Sequence, residues 1–148
     1  MTKTICISIH PIYCHRIFIL LTKLYELRKK WPEGVEKVYV YASKKKGAEG
    51  IASGFVIGCF EVGEVISENR IDLWSRFADI GGGLRDSPLG ITVESFCDYF
   101  ISLEKLYFAV QIKNPILFTQ PKTLAEIGLK SAPQSYVFAK DDYDQPSP

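Results

Sequence analysis

The stretch Lys23-Leu24-Tyr25-Glu26-Leu27-Arg28-Lys29-Lys30 sets a lysine, a carboxylate and a guanidinium within six residues, at the point where a helical pattern gives way to an extended one. Upstream, Thr4 to Ile9 alternates β-branched and small residues and reads as a strand. Pro11 suits the first turn of a helix, and Ile12, Ile17, Leu20 and Leu21 form a helical apolar stripe that stops before Thr22. From Leu24 to Lys29 the alternation returns, with Tyr25 and Leu27 on one face and Leu24, Glu26 and Arg28 on the other. Glu26 and Arg28 therefore stand side by side, with Lys23 in the adjoining turn. A cleft of this kind holds an anion on its cations and accepts a hydrogen bond from an amine or ribose hydroxyl on its carboxylate. The same spacing also suits an ordinary salt-bridged strand.

Working downstream, Trp31 to Gly34 reads as a turn and Lys37 to Ala42 as a strand, broken by Ser43 to Gly50 with its Lys44, Lys45, Lys46 triplet. Ile51 to Ile66 is apolar and interrupted by Gly54, Gly58 and Gly63, the pattern of a bent strand, or two, with bulges at a barrel corner. Helices are predicted over Ile71 to Ala78 and Val93 to Ile101, carrying Trp74, Phe77, Phe96, Tyr99 and Phe100, with a glycine-rich loop over 80–90 between them. A strand follows over Lys105 to Ile112, after which Pro115, Pro121 and Pro133 punctuate the chain. Thr123 with Glu126 matches a capping box, and Ser135 to Ala139 gives a last strand. This order predicts one α+β domain over 1–140, a small, mostly antiparallel β-barrel with flanking helices, and a flexible tail over 141–148.

A chain of 148 residues, 47% hydrophobic, can bury an ordinary core without disulfides or metals. The aliphatic run Ile17 to Leu21 is too short for a secretory leader or a membrane span. Without an export signal the four cysteines read as reduced thiols, which predicts a cytoplasmic protein. No C-x-x-C pair occurs and His10 and His15 are the only imidazoles, so no metal site is expected, and no motif calls for a cofactor. Cys14 and His15 are neighbours on a helix and project about 100° apart, which is wrong for a thiol and its base. The glycines at 81–83 lack the Lys-Ser/Thr of a phosphate loop. Net charge is +1, but Lys23 to Lys46 holds eight basic residues against three acidic ones, +5, leaving −4 for the remainder. That segment is either an anion-binding surface or a solvated face.

Taken in order, Ile7-Ser-Ile-His-Pro11, the helix leading into Lys23-x-x-Glu26-x-Arg28, the strand Val38 to Ala42, Phe60-Glu-Val-Gly-Glu-Val-Ile66 and Ala132-Pro-Gln-Ser135 resemble the ASCH family of the PUA-like superfamily, along nearly the whole chain. The family signature G-x-K-x-x-E-x-R is matched at Lys23, Glu26 and Arg28, while Leu21 stands where glycine is usual. The resemblance implies a PUA-like β-barrel whose cleft is lined by the signature residues, in a superfamily associated with RNA and modified nucleotides. On this reading Lys23, Glu26, Arg28, Tyr41 and Ser43 bind the ligand, Tyr41 or Tyr39 offers a stacking face, and Lys44, Lys45 and Lys46 follow a nucleic-acid backbone. The partner expected is RNA or a modified nucleotide, with no membrane involved. A second reading is a hydrolase of modified nucleosides or RNA with Lys23 and Glu26 in acid/base roles, so enzymatic activity stays undecided. Relatives that deacylate a modified cytidine have Thr where this chain has Glu26, and a carboxylate there predicts a protonated Lys23. A third reading is an accessory domain whose aromatic helices dock a protein partner.

Overall fold

The computed structural model describes residues 3–81 and 89–139; for 78–81 it describes the backbone only. The predicted tail, and residues 82–88 of the predicted loop, lie outside the described residues. Six strands, β1 (Lys3–Ile9), β2 (Tyr25–Arg28), β3 (Val35–Ala42), β4 (Val56–Glu68), β5 (Tyr107–Lys122) and β6 (Tyr136–Ala139), form one sheet in the order β2-β5-β4-β3-β1-β6. All neighbours are antiparallel except β1 with β3. Three helices, α1 (Pro11–Phe18), α2 (Arg70–Gly81) and α3 (Val93–Tyr99), flank it. The α+β class and mostly antiparallel sheet match the expectation. The barrel, however, is open: among the described residues no ladder joins edge strands β2 and β6.

Strand alternation builds the interior. Ile5, Ile7 and Ile9 of β1 and Val38, Val40 and Ala42 of β3 point toward α1 and pack with Cys14, Ile17 and Phe18. The alternate residues Cys6, Tyr39 and Tyr41 enter a second cluster with Val56, Cys59 and Phe118. A third cluster joins Leu27, Tyr107 and Ala109 to Leu73 and Phe77 of α2 and to Phe96 and Phe100 around α3. The aromatic residues of both helices are thus largely core, with Phe100 stacked on Tyr107 at 4.0 Å, and offer a partner little surface.

Two departures from the expected elements have clear physical causes. The strand after α3 does not stop at Ile112 but continues through Pro115 and Pro121 to Lys122. Both prolines fall where the β4–β5 register shifts, between the pairs Cys59↔Ile116 and Glu61↔Lys113 and between Val56↔Lys122 and Gly58↔Leu117, so neither has to donate to a regular ladder. Asn114, with φ 48°, supplies the left-handed residue at the first shift. Helix α1 ends at Phe18 rather than running on through Leu20 and Leu21. Leu21 has φ 57°, so the chain takes the glycine-like turn without the glycine and leaves this leucine 58% exposed. The capping box forms as expected: Glu126 N–H donates to Thr123 Oγ1, and Thr123 N–H donates to Glu126 Oε1, each at 3.2 Å. No described helix is long and apolar enough to cross a membrane.

Candidate functional site

The turn after α1 is held by Thr22 and Lys23 N–H groups donating to the Arg16 carbonyl, which aims Lys23 inward. Glu26 and Arg28 follow on one face of β2, paired to Val110 and Phe108 of β5. All three signature side chains are buried, at 2%, 6% and 9% exposure. Lys23 Nζ lies 3.8 Å from Glu26 Oε1, and Arg28 Nη1 lies 3.2 Å from Glu26 Oε2. Charges are tolerated at such depth only when paired and hydrogen-bonded.

The cations spend donors on the main chain. Lys23 Nζ donates to Leu89 O at 2.6 Å, and Arg16 donates to Gly90 O at 2.7 Å. Together they fasten the segment leading into α3. Gly90 has φ 68°, and a β-carbon there would lie 2.6 Å from Lys23 Cβ, so only glycine lets the backbone come this close. Arg28 donates to Ser135 O at 2.7 Å and Ser8 O at 3.3 Å. Its fork therefore bridges the open seam, reaching from β2 to β1 and to the residue preceding β6.

Lys23, Glu26 and Arg28 line a cavity of about 410 Å³, whose wall also includes Ser8, His10, Tyr13, Ser43, Ser95, Tyr99 and Gln134. The Tyr13 ring has the Lys23 ammonium and the Arg16 guanidinium each 5.4 Å from its centre. Ser43 Oγ is buried with no hydrogen-bond partner. Burial pulls the Lys23 ammonium below its usual range; Glu26 opposes this, while Arg16 and Arg28 add to it. The direction is opposite to the one expected from the carboxylate alone, because desolvation outweighs one neighbouring charge. Burial also raises the Tyr99 phenol.

Of the residues singled out from sequence, Lys23, Glu26, Arg28 and Ser43 meet at this cavity. Tyr41 does not. With Tyr39 it is taken up in the core cluster of Val56 and Phe118, 4% exposed, so neither tyrosine lines the cavity or offers the stacking face expected. Lys44, Lys45 and Lys46 are exposed on the turn that follows Ser43. Sequence reasoning missed Tyr13, Ser95, Tyr99 and Gln134. Ser95 and Tyr99 carried a usable signal, since residues four apart share one helical face, next to the face of Phe96 and Phe100. Gln134 lies in the Ala132-Pro-Gln-Ser135 stretch quoted for the family resemblance, but no spacing marked it as a wall residue. Cys14 Sγ turns to Ile9 O and His15 to Glu49 O, so the adjacent thiol and imidazole do not meet.

The fold has close counterparts. An ASCH protein from Zymomonas mobilis superposes with a TM-score of 0.71 over 96% of this chain and 91% of its own, at 17% identity. The chain has the ASCH fold. A Ser-to-Ala variant of that ASCH protein also gives a TM-score of 0.71, at 19% identity, over 96% of this chain and 92% of its own. The N-terminal domain of Staphylothermus marinus McrB is more distant, with a TM-score of 0.50 at 14% identity over 85% of this chain and 78% of its own. No protein-family model and no curated protein sequence matches the chain. In this ASCH fold the signature residues sit where α1 hands over to β2.

Proposed function

We propose that this ASCH-fold domain binds a nucleotide or RNA, taking a nucleobase into the cavity lined by Lys23, Glu26 and Arg28. The observation that carries this reading is the buried charged triad opening onto a space of about 410 Å³, within the roughly 300–1,000 Å³ typical of small-ligand sites. Leu89, Ser8 and Ser135 carbonyls already take hydrogen bonds from the buried Lys23 and Arg28, and Gly90 takes one from the half-buried Arg16. What faces a ligand is then chiefly acceptor capacity on Glu26, the unpartnered Ser43 hydroxyl, the Gln134 amide and the rings of Tyr13 and Tyr99. That set fits a planar heterocycle carrying N–H donors. Lys44, Lys45 and Lys46 are exposed beside Ser43, where phosphates of a longer ligand would run. The buried, unpaired thiols of Cys6, Cys14 and Cys59 suit a reducing cytoplasm.

Calorimetric titration with the four ribonucleoside monophosphates and with short RNA oligomers tests the reading. Glu26→Gln keeps the size of the side chain and exchanges one acceptor for a donor. It should weaken the best ligand at least about tenfold, the worth of a charge-assisted hydrogen bond. Unchanged affinity overturns the site.

Hydrolysis of a modified nucleoside is favoured by one observation, the Lys23 ammonium 3.8 Å from the Glu26 carboxylate in the cavity wall, an amine that burial makes easier to deprotonate. Thr22 is exposed on the turn and absent from the cavity wall, so the hydroxyl that deacylating relatives place at position 26 has no substitute there. Incubation with N4-acetylcytidine should release no cytidine. Release that disappears in Lys23→Met would establish the hydrolase.

A further inference from the structure

Away from the signature cavity, a groove of about 370 Å³ opens between the loop after β3 and the C-terminal half of β5. Gly50 and Ala52 form one wall and Leu117 and Pro121 the other, while the buried side chains of Ile57 and Phe118 close the base. Among the described residues no charged side chain lines it, and only Thr119 is polar. Large aliphatic side chains stand exposed on both sides of this recess. Ile19 lies against Gly50, since a β-carbon there would come within 2.7 Å of Ile19 Cδ1, and Leu20 follows it. Opposite them are Ile116 and Leu117; the Ile116 carbonyl and the Phe18 ring at the end of α1 both press on Gly58, which brings the two aliphatic groups together. Single exposed apolar residues are ordinary, but a contiguous group around an uncharged recess marks a surface that another molecule covers.

The same patch offers both halves of a contact. Leu20 and Ile116 stand out while the groove beside them recedes, and a two-fold interface requires one surface to carry its own complement. The charges follow the same symmetry. Exposed Glu49 directly precedes Gly50 of one wall, and Lys122 directly follows Pro121 of the other, its ammonium 5.5 Å from the centre of the Phe118 ring. Two such grooves facing across a two-fold axis that runs along them bring unlike walls together, so Glu49 of each copy stands opposite Lys122 of the other. A net charge of +1 gives two copies little mutual repulsion. We propose that this groove is the centre of a homodimer interface, in which the aliphatic side chains of each copy fill the groove of the other and two Glu49–Lys122 pairs close the rim. Among the described residues none lines both this groove and the signature cavity, so the dimer does not depend on the nucleobase reading.

Sedimentation equilibrium of the full chain from about 1 to 300 μM should show a monomer–dimer equilibrium with a dissociation constant of about 10 μM or tighter, as interfaces of standard size give. Leu117→Lys sets a charge in the apolar wall and should weaken the dimer at least about thirtyfold, the loss that marks a central interface residue. Leu20→Lys, on the facing aliphatic group, should act the same way, and neither exposed substitution should lower the melting temperature of the monomer. Glu49→Lys and Lys122→Glu should each weaken self-association, because like charges then meet at both rims. An equimolar mixture of those two variants should dimerise about as well as the wild type, since each copy again faces its opposite charge. A wild type that stays monomeric to about 300 μM overturns the proposal. So does a dimer that is unchanged in both Leu117→Lys and Leu20→Lys, or a charge-exchanged mixture no more associated than its separate components.

Discussion

The Lys23 ammonium lies 2.6 Å from the carbonyl oxygen of Leu89, a residue 66 positions away in sequence, so one buried cation ties the end of the α1–β2 turn to the segment that carries α3. Lys23 is therefore part of what holds the fold together. Lys23→Ala should cost about 3 kcal/mol in urea unfolding, as expected when one partner of a buried pair is removed and the other is left uncompensated. A change below about 0.5 kcal/mol would show that the tie contributes nothing.

Gly90 reports on the same tie from the other side. Gly90→Ala places a methyl 2.6 Å from Lys23 Cβ at a φ of 68°, so strain and collision add. We expect a loss of about 2 kcal/mol or more and faster hydrogen exchange at the amides of residues 89–91 than in the wild type. Wild-type exchange rates in the variant would refute the docking.

Leu21→Gly should be mildly stabilising. A leucine in left-handed backbone costs about 1–2 kcal/mol, and a glycine there relieves this at an unfolded-state entropy cost of about 0.5–1 kcal/mol. The expected gain is about 0.5–1 kcal/mol in urea unfolding, with little packing sacrificed because Leu21 is exposed. Any loss of stability would mean that the exposed leucine side chain has a role of its own.

Two opposed pH effects should appear above neutrality. The folded-state pKa of Lys23 is depressed, so between that pKa and about 10.5 the unfolded chain binds the extra proton, and this residue makes stability rise with pH. The thiols act in the other direction. Burial raises Cys6 from 9.0 to about 12 and also raises Cys14 and Cys59, so above pH 9 the unfolded chain loses protons that the folded one keeps. Each thiol then removes about 1.4 kcal/mol per pH unit until its own folded pKa is reached. Unfolding free energies of wild type and Lys23→Met, measured from pH 7 to 10, should diverge upward in favour of wild type, and Cys6→Ala should flatten the alkaline decline. Parallel curves for wild type and Lys23→Met would contradict the depressed pKa.

Strand and helix patterns were legible wherever one face is apolar, as in Thr4 to Ile9 or Val93 to Tyr99, because side-chain periodicity is set locally. The meeting of Lys23, Glu26 and Arg28 was legible for the same reason, being a matter of spacing on one strand and its adjoining turn. The placement of Tyr41 was not. Alternation puts it opposite Val40 and Ala42, but both faces of β3 are buried, and only its long-range packing against Phe118 and Val56 shows that it stays out of the cavity. Pro115 and Pro121 misled for a related reason, since the register shifts that accommodate them depend on β4, about sixty residues earlier in the chain.

Arg28 fastens an otherwise open edge with the guanidinium that also holds Glu26 in place, so the seal of the fold and the chemistry of its interior rest on one side chain. Exchanging this residue would therefore unfasten the wall as well as alter the interior. The turn after Ser43 takes no part in that closure and can change without loosening it.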